Sequence, residues 1–207
     1  MDFTRPVQAV FPGTQGRILA VLAETTAELN LRTIARLSGV SLAQASRVLP
    51  ALVDLGLIER REAPPSALFR FVPEHIAARA VTALTRARQT ALDELACTAA
   101  TLIPLPISVI VFGSFARGDA DAESDLDVIM VRSGDVDEDD ALWRSASETW
   151  RQNAQRLTGN RVEVIEVDEH EVRRLLHSGQ PLWTDVQADG IVVFGTGLAE
   201  LTARRIA

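Results

Sequence analysis

Residues 111–129 read VFGSFARGDADAESDLDVI. One apolar run delivers the chain to Gly113 and Ser114, and a second follows Asp125-Leu126-Asp127. Side chains alternate along a strand, so Asp125 and Asp127 share a face while Leu126 and Val128 turn to the core. Two carboxylates so placed repel each other unless a cation sits between them. Magnesium is the matching ion, because it is hard, seeks oxygen and is commonly held by carboxylates together with phosphates. Upstream, Gly113 permits close backbone approach, Ser114 adds a hydroxyl beside free N–H groups, and Arg117 offers a charged fork for phosphate oxygens. Asp119, Asp121 and Glu123 are read as a solvated, mobile rim.

The surrounding residues extend this pattern. ISVIVFG, DLDVIMV and RVEVIEV read as strands, and ADGIVVFGTG as a closing edge or companion strand. Helices are expected around 138–157, over DEHEVRRLLHSG and over the terminal LAELTARRI. Trp143 and Trp150 lie seven apart on one helical face and are expected in the core. On RVEVIEV, Glu163 is placed to face the same site as the paired aspartates, while Glu166 alternates to the opposite face. His75, His170 and His177 lack ligand spacing. Cys97 is expected to be a buried small residue.

Gly113-Ser114, ten intervening residues and Asp125-x-Asp127 resemble the signature of the nucleotidyltransferases related to DNA polymerase beta. GSFARGDADAESDLDV is especially similar to their small bacterial branch, the minimal nucleotidyltransferases, some of which are antitoxins. The resemblance spans about residues 105–197. It implies that Gly113 and Ser114 hold a triphosphate, that Asp125 and Asp127 coordinate magnesium, and that Glu163 takes the place of the third carboxylate. The implied reaction transfers a nucleoside monophosphate, often AMP from ATP, to a hydroxyl with release of pyrophosphate. In the antitoxin branch the acceptor is a tyrosine of a partner toxin. The departure is Glu where the family carries Asp at the third position, and the extra methylene shifts where a metal would sit.

The first part of the chain follows another logic. GRILAVLAETT and LNLRTIARLSGV have helical periodicity, and Gly39 makes a tight turn. Ser41 caps SLAQASRVLPALVDLG, with Leu42, Ala45, Val48, Leu49, Leu52 and Leu55 as its apolar face. LIERR and ALFRFV form a hairpin around EAPPS. Helix, helix, turn, helix and hairpin is the order of a winged helix-turn-helix. LRTIARLSGVSLAQASRVLPALVDLGLIERR resembles the winged-helix segment of bacterial transcriptional regulators. The third helix would present Ser41, Gln44, Ser46 and Arg47 to a major groove, and Arg60, Arg61 and Arg70 would reach flanking phosphates. Pro50 falls inside that helix and is expected to bend it. Such domains also serve in dimerisation and protein docking, and that alternative stays open here.

Between the two parts, residues 74–101 form a long helical pattern whose stripe is Ile76, Ala80, Leu84, Ala87, Ala91 and Leu95. It suits packing on the chain's own domains or a homodimer. The expected fold is therefore α+β: a winged helix-turn-helix over 1–73, a connecting helix over 74–103 and a small mixed-sheet nucleotidyltransferase domain over 104–207.

The charge balance agrees with this division. The net charge is −7, but residues 1–80 sum to +2 and the remainder to −9. The first part tolerates a polyanion, whereas the second repels one unless metal intervenes. With one Cys, a disulfide framework and a cysteine zinc site are excluded. No run approaches 18 apolar residues and the N-terminus lacks signal-peptide character, so the cytoplasm is the expected compartment. Two functions from different classes fit: a magnesium-dependent nucleotidyltransferase with a DNA-binding targeting domain, and a transcriptional regulator whose second domain binds nucleotide without transferring it.

Overall fold

The computed structural model describes residues 1–203. The chain divides into two compact units, one spanning Arg5–Ala87 and the other joining Met1–Thr4 to the chain from Arg88 onward.

The first unit contains α1 (Pro6–Val10), α2 (Thr14–Ala23), β1 (Leu29–Asn30), α3 (Leu31–Ser38), α4 (Leu42–Asp54), β2 (Ile58–Ala63), β3 (Ser66–Phe71) and α5 (Ile76–Thr85). Local chemistry sets most of these boundaries. The Asn30 side chain accepts from the Thr33 N–H at 2.9 Å and starts α3, and Gly39, in the left-handed region, ends it. At α4 the Ser41 hydroxyl accepts from the Gln44 N–H while Gln44 Oε1 accepts from the Ser41 N–H, a reciprocal capping box. α4 runs unbroken through Pro50. Pro50 is exposed and has no N–H to give the Ser46 carbonyl, yet the helix continues to Asp54. Ile18, Leu22, Ile34, Ala45, Leu49, Leu52 and Ile58 form the buried cluster beneath these helices and the hairpin. β3 pairs antiparallel with β2 and also with the two-residue β1, which makes a third strand.

The 74–101 stretch is helical but divided. α5 stops at Arg86, whose φ of −104° and ψ of 9° leave helical geometry. α6 (Ala87–Ala99) then belongs to the second unit apart from its first residue. One continuous stripe therefore does not form. Ile76 is 75% exposed. α5 instead buries Ala78 and Val81, and α6 buries Ala91, Leu92, Leu95 and Ala99. Cys97 lies away from that buried face and is exposed, contrary to the sequence reading.

The second unit continues with β4 (Ser108–Phe112), α7 (Gly113–Arg117), β5 (Leu126–Arg132), α8 (Ala141–Thr158), β6 (Val162–Asp168), α9 (Glu169–Leu176), α10 (Pro181–Asp189), β7 (Ile191–Gly195) and α11 (Leu198–Ala203). The rest of the expected terminal helix, Arg204–Ile206, lies outside the described residues. The strands form a mixed sheet in the order β6-β5-β4-β7, in which only the β5–β6 pair is parallel. One sheet face, with Ile110, Phe112, Ile129, Val131 and Val167, shares a core with Val172, Leu176, Trp183, Val186 and Leu201 from the last three helices. Residues of the opposite face, Val109, Val111, Leu126, Val128, Met130 and Val162, are also buried. Trp143 and Trp150 are buried as expected. Trp143 Nε1 donates to Glu166 at 2.6 Å, which shows Glu166 directed to α8, and Trp150 Nε1 donates to the Leu95 carbonyl at 3.3 Å.

Candidate active site and nucleic-acid interface

The β4–β5–β6 register brings the two halves of the signature together. Phe112 stands opposite Asp127 on the antiparallel pair, and Asp127 stands beside Glu163 on the parallel pair. Gly113, the next residue, has φ of +69°. A Cβ built there would lie 2.5 Å from Asp127 Oδ2, so both conformation and space require glycine. The residues after it close into α7, and Gly118 at φ +86° ends that helix. Ser114 and Arg117 thus sit on a five-residue helical turn at the end of β4.

Electrostatics link the acids. The Asp127 carboxyl is held above its usual proton affinity, first by partial burial, then by the charges of Asp125 and Glu163, with Arg117 opposing the shift. Neighbouring carboxylates of this kind are what a hard divalent cation such as magnesium binds. Asp125 and Asp127, as oxygen donors, suit that ion. Glu163 is engaged elsewhere: it forms an ion pair with Arg161 two residues earlier. Among the described residues no group of three or more Asp, Glu, His or Cys side chains is arranged to hold a metal ion. The three carboxylates thus feel one another without forming a ready three-ligand cage.

Two parts of the site differ from the sequence reading. Arg117 is not a free fork; its Nε lies 3.4 Å from Asp119 and its Nη1 lies 3.6 Å from Asp189 at the end of α10. The acidic loop is more organised than a mobile rim. Asp121 Oδ1 accepts from the Ser124 hydroxyl at 2.8 Å and from the Glu123 and Ser124 N–H groups at 3.0 Å, which lowers its proton affinity. Buried Asn160 reaches across to donate to the carbonyls of Asp121 at 3.0 Å and Ser124 at 2.8 Å. Neither Asn160 nor Asp189 was singled out from sequence. Each is remote in the chain from the signature, and a lone Asn or Asp carries no pattern that reveals its partner. A cleft of about 460 Å³ follows β6 and α8, lined by Arg161, Glu163, Glu148 and Arg151 among others.

In the first unit, Ser41, Gln44, Ser46 and Arg47 are exposed on the first two turns of α4. The capping box commits Ser41 Oγ and Gln44 Oε1, which leaves the Gln44 amide donor for an outside acceptor. Arg47 has no ion-pair partner among the described residues. The three hairpin arginines are each matched by a glutamate: Arg60 by Glu62 at 2.7 Å, Arg70 by Glu59 at 2.8 Å, and Arg61 by Glu28 through two bonds, one of 3.0 Å from Nε. All are exposed. Ser46 and Arg60 also border a cavity of about 760 Å³ between α3, α4 and the hairpin, floored by Leu49, Pro50, Val53 and Phe69.

Known proteins divide the chain similarly. The IclR helix-turn-helix domain model matches residues 16–62, and the nucleotidyltransferase domain model matches residues 92–182. No curated protein matches the chain significantly. Among solved structures, a toxin–antitoxin complex with AMP-PNP is 21% identical, covering 56% of this chain and 80% of its own at a TM-score of 0.36. A candidate nucleotidyltransferase from Sulfolobus solfataricus is 24% identical, covering 52% and 82% at 0.30. The archaeal chromatin protein TrmBL2 is 14% identical, covering 93% and 78% at 0.31. With both domain models matched, the chain joins a segment like the IclR helix-turn-helix domain to a segment like the nucleotidyltransferase domain, and the latter contains the Gly113-to-Glu163 site.

Proposed function

We propose that the second unit transfers a nucleoside monophosphate, AMP from ATP, to a hydroxyl acceptor on a partner protein, and that the first unit targets the enzyme by binding double-stranded DNA. The observation that carries this reading is the close approach of Asp127 to Gly113, with Glu163 in register beside Asp127 and the Asp125 charge acting on the Asp127 carboxyl. Backbone N–H groups at Gly113 and Ser114 and the Ser114 hydroxyl hold phosphate oxygens, and Arg117 joins them on release from Asp119 and Asp189. Asp125 and Asp127 hold magnesium, and Glu163 adds a third carboxylate once it leaves Arg161. Magnesium, when bound, supplies charge neutralisation at the phosphates and lowers the pKa of the attacking hydroxyl. Charge placement of this kind dominates phosphoryl-transfer chemistry.

The test is incubation with labelled ATP, CTP, GTP and UTP, magnesium and candidate acceptors, following pyrophosphate release. Asp125→Asn and Asp127→Asn abolish transfer if the reading holds, and wild-type activity in both variants removes it. The Arg161–Glu163 pair favours a second reading, a transcriptional regulator that binds nucleotide as an effector without transferring it. Nucleotide-dependent DNA binding without pyrophosphate release selects that reading.

A further inference from the structure

The chain passes between its two units twice, at Thr4–Arg5 and at Ala87–Arg88. On the nucleotidyltransferase side, each crossing has, within two residues of it, an anchor on the same short helix, α7. Just before the first, the Phe3 ring is buried edge-on against the Phe115 ring, with centroids 4.8 Å apart and planes at 68°. The Phe3 N–H also donates to the Ala120 carbonyl at 3.0 Å. At the second, Arg88 Nε donates to the Phe115 carbonyl at 2.7 Å and its Nη2 donates to the Ala116 carbonyl. The guanidinium passes beneath the turn that ends α7, since a Cβ on Gly118 would lie 3.8 Å from Arg88 Nε.

α7 is too short to satisfy its own carbonyls. Ser114 O is served by the Gly118 and Asp119 N–H groups, Phe115 O by the Gly118 N–H at 3.3 Å together with Arg88 Nε, and Ala116 O by Arg88 Nη2. A cation at a helix C-terminus is also favourably placed for the exposed carbonyl dipoles. Ordinary capping explains Arg88 alone, and ordinary packing explains Phe3 alone. Neither accounts for both crossings ending on the five residues that carry Gly113, Ser114 and Arg117.

We propose that Arg88 and Phe3 are positioning residues that fix the phosphate-holding turn, and that they form the route by which the helix-turn-helix unit acts on it. The inference rests on the reading of that turn as a nucleotide cradle. DNA bound by the first unit shifts the chain at the two crossings, and the shift meets α7 before any other part of the site.

The experiment uses the full chain with Arg88→Ala, Arg88→Lys, Phe3→Ala and the double alanine variant. Amide hydrogen exchange at residues 113–119 is read without nucleotide, and affinity is read for magnesium with α,β-methylene-ATP. Arg88→Ala is expected to accelerate exchange at 113–119 and weaken the analogue each about tenfold, the scale of one lost charge-assisted hydrogen bond. β4 and β5 keep their protection, and Arg88→Lys recovers part of both effects because an ammonium still reaches one carbonyl. Coupling between the Phe3 and Arg88 substitutions is expected to be non-additive. Unchanged exchange at 113–119, or acceleration spread equally over β4 and β5, overturns the positioning role. If the wild type binds no analogue, the nucleotide reading fails, yet the exchange comparison still decides the positioning. Saturation with sheared double-stranded DNA is expected to alter exchange at 113–119 in the wild type and much less in Arg88→Ala; no response in the wild type removes the route.

Discussion

Replacing Gly113 by alanine separates two demands that the structure makes at one residue. Its φ of +69° places a side chain in the left-handed region, at about 1–2 kcal/mol. Its added Cβ would also meet Asp127 Oδ2 at 2.5 Å, so the carboxylate must leave its rotamer, at about 0.5–1.5 kcal/mol. The sum is about 1.5–3.5 kcal/mol. Gly179, in the same unit, has φ of +69° with nothing within 4 Å of an added Cβ, so Gly179→Ala carries the first cost alone. The difference, about 1 kcal/mol, belongs to the Asp127 contact. Urea unfolding followed by tryptophan fluorescence measures it directly, because Trp143, Trp150 and Trp183 are the chain's three tryptophans and all lie in the second unit. With a slope of about 2 kcal/mol/M, the Gly113→Ala midpoint falls by about 1 M. In an Asp127→Ala background the carboxylate is gone, and the Gly113→Ala cost should shrink to that of Gly179→Ala. A Gly113→Ala cost no larger than the Gly179→Ala cost, or one that Asp127→Ala leaves unrelieved, would refute the close approach of glycine and aspartate.

Four further outcomes follow from the same geometry. A raised carboxyl pKa means that the native state binds the proton more tightly than the unfolded chain, so stability falls as pH rises from the ordinary carboxylate range through the raised Asp127 value. Asp127→Asn should therefore be more stable than wild type above that window and converge with it below, and magnesium should raise the wild-type midpoint but not that of the variant. Arg161→Gln releases Glu163 from an exposed ion pair worth about 0.2–1 kcal/mol, so magnesium affinity by calorimetry should rise about two- to fivefold; an unchanged affinity excludes Glu163 as a ligand. Asn160→Ala leaves the Asp121 and Ser124 carbonyls without their donor and should cost about 1–3 kcal/mol in the same urea assay. Replacing Glu28, Glu59 and Glu62 by Gln frees Arg61, Arg70 and Arg60, and should steepen the salt dependence of DNA binding by about 0.9 per arginine that meets phosphate; an unaltered slope removes the hairpin from the interface.

Legibility from sequence followed the range of the interactions involved. The strands, the α4 cap and the pairing of Asp125 with Asp127 rest on spacings of two to four residues, and the chain states those directly. Glu163 was placed beside the aspartates from alternation on its own strand, and the parallel register of β5 and β6 puts it there. Hidden from the sequence was what else each charged group touches. Arg117 read as a free phosphate fork because its partner Asp189 is 72 positions away, at the end of a helix that reaches it only through the fold. The glutamates opposite the hairpin arginines were invisible for the same reason, since register pairs Glu59 with Arg70 across the strands. The helical pattern over 74–101 misled in another way: its periodicity assumed one axis, whereas Arg86 interrupts it; α6 buries Ala91 and Leu95 of the expected stripe, while α5 buries Ala78 and Val81 and leaves Ile76 exposed. Local patterns thus located the candidate residues, while partners set by tertiary contact decide their resting state. In that state Arg117 is held by Asp119 and Asp189, and Glu163 by Arg161. Both groups that nucleotide and metal would recruit are already paired with opposite charge, so binding at this site exchanges ion pairs rather than filling free ones. These pairs are exposed, each worth at most about 1 kcal/mol, and their exchange is within reach of a charged triphosphate and its cation.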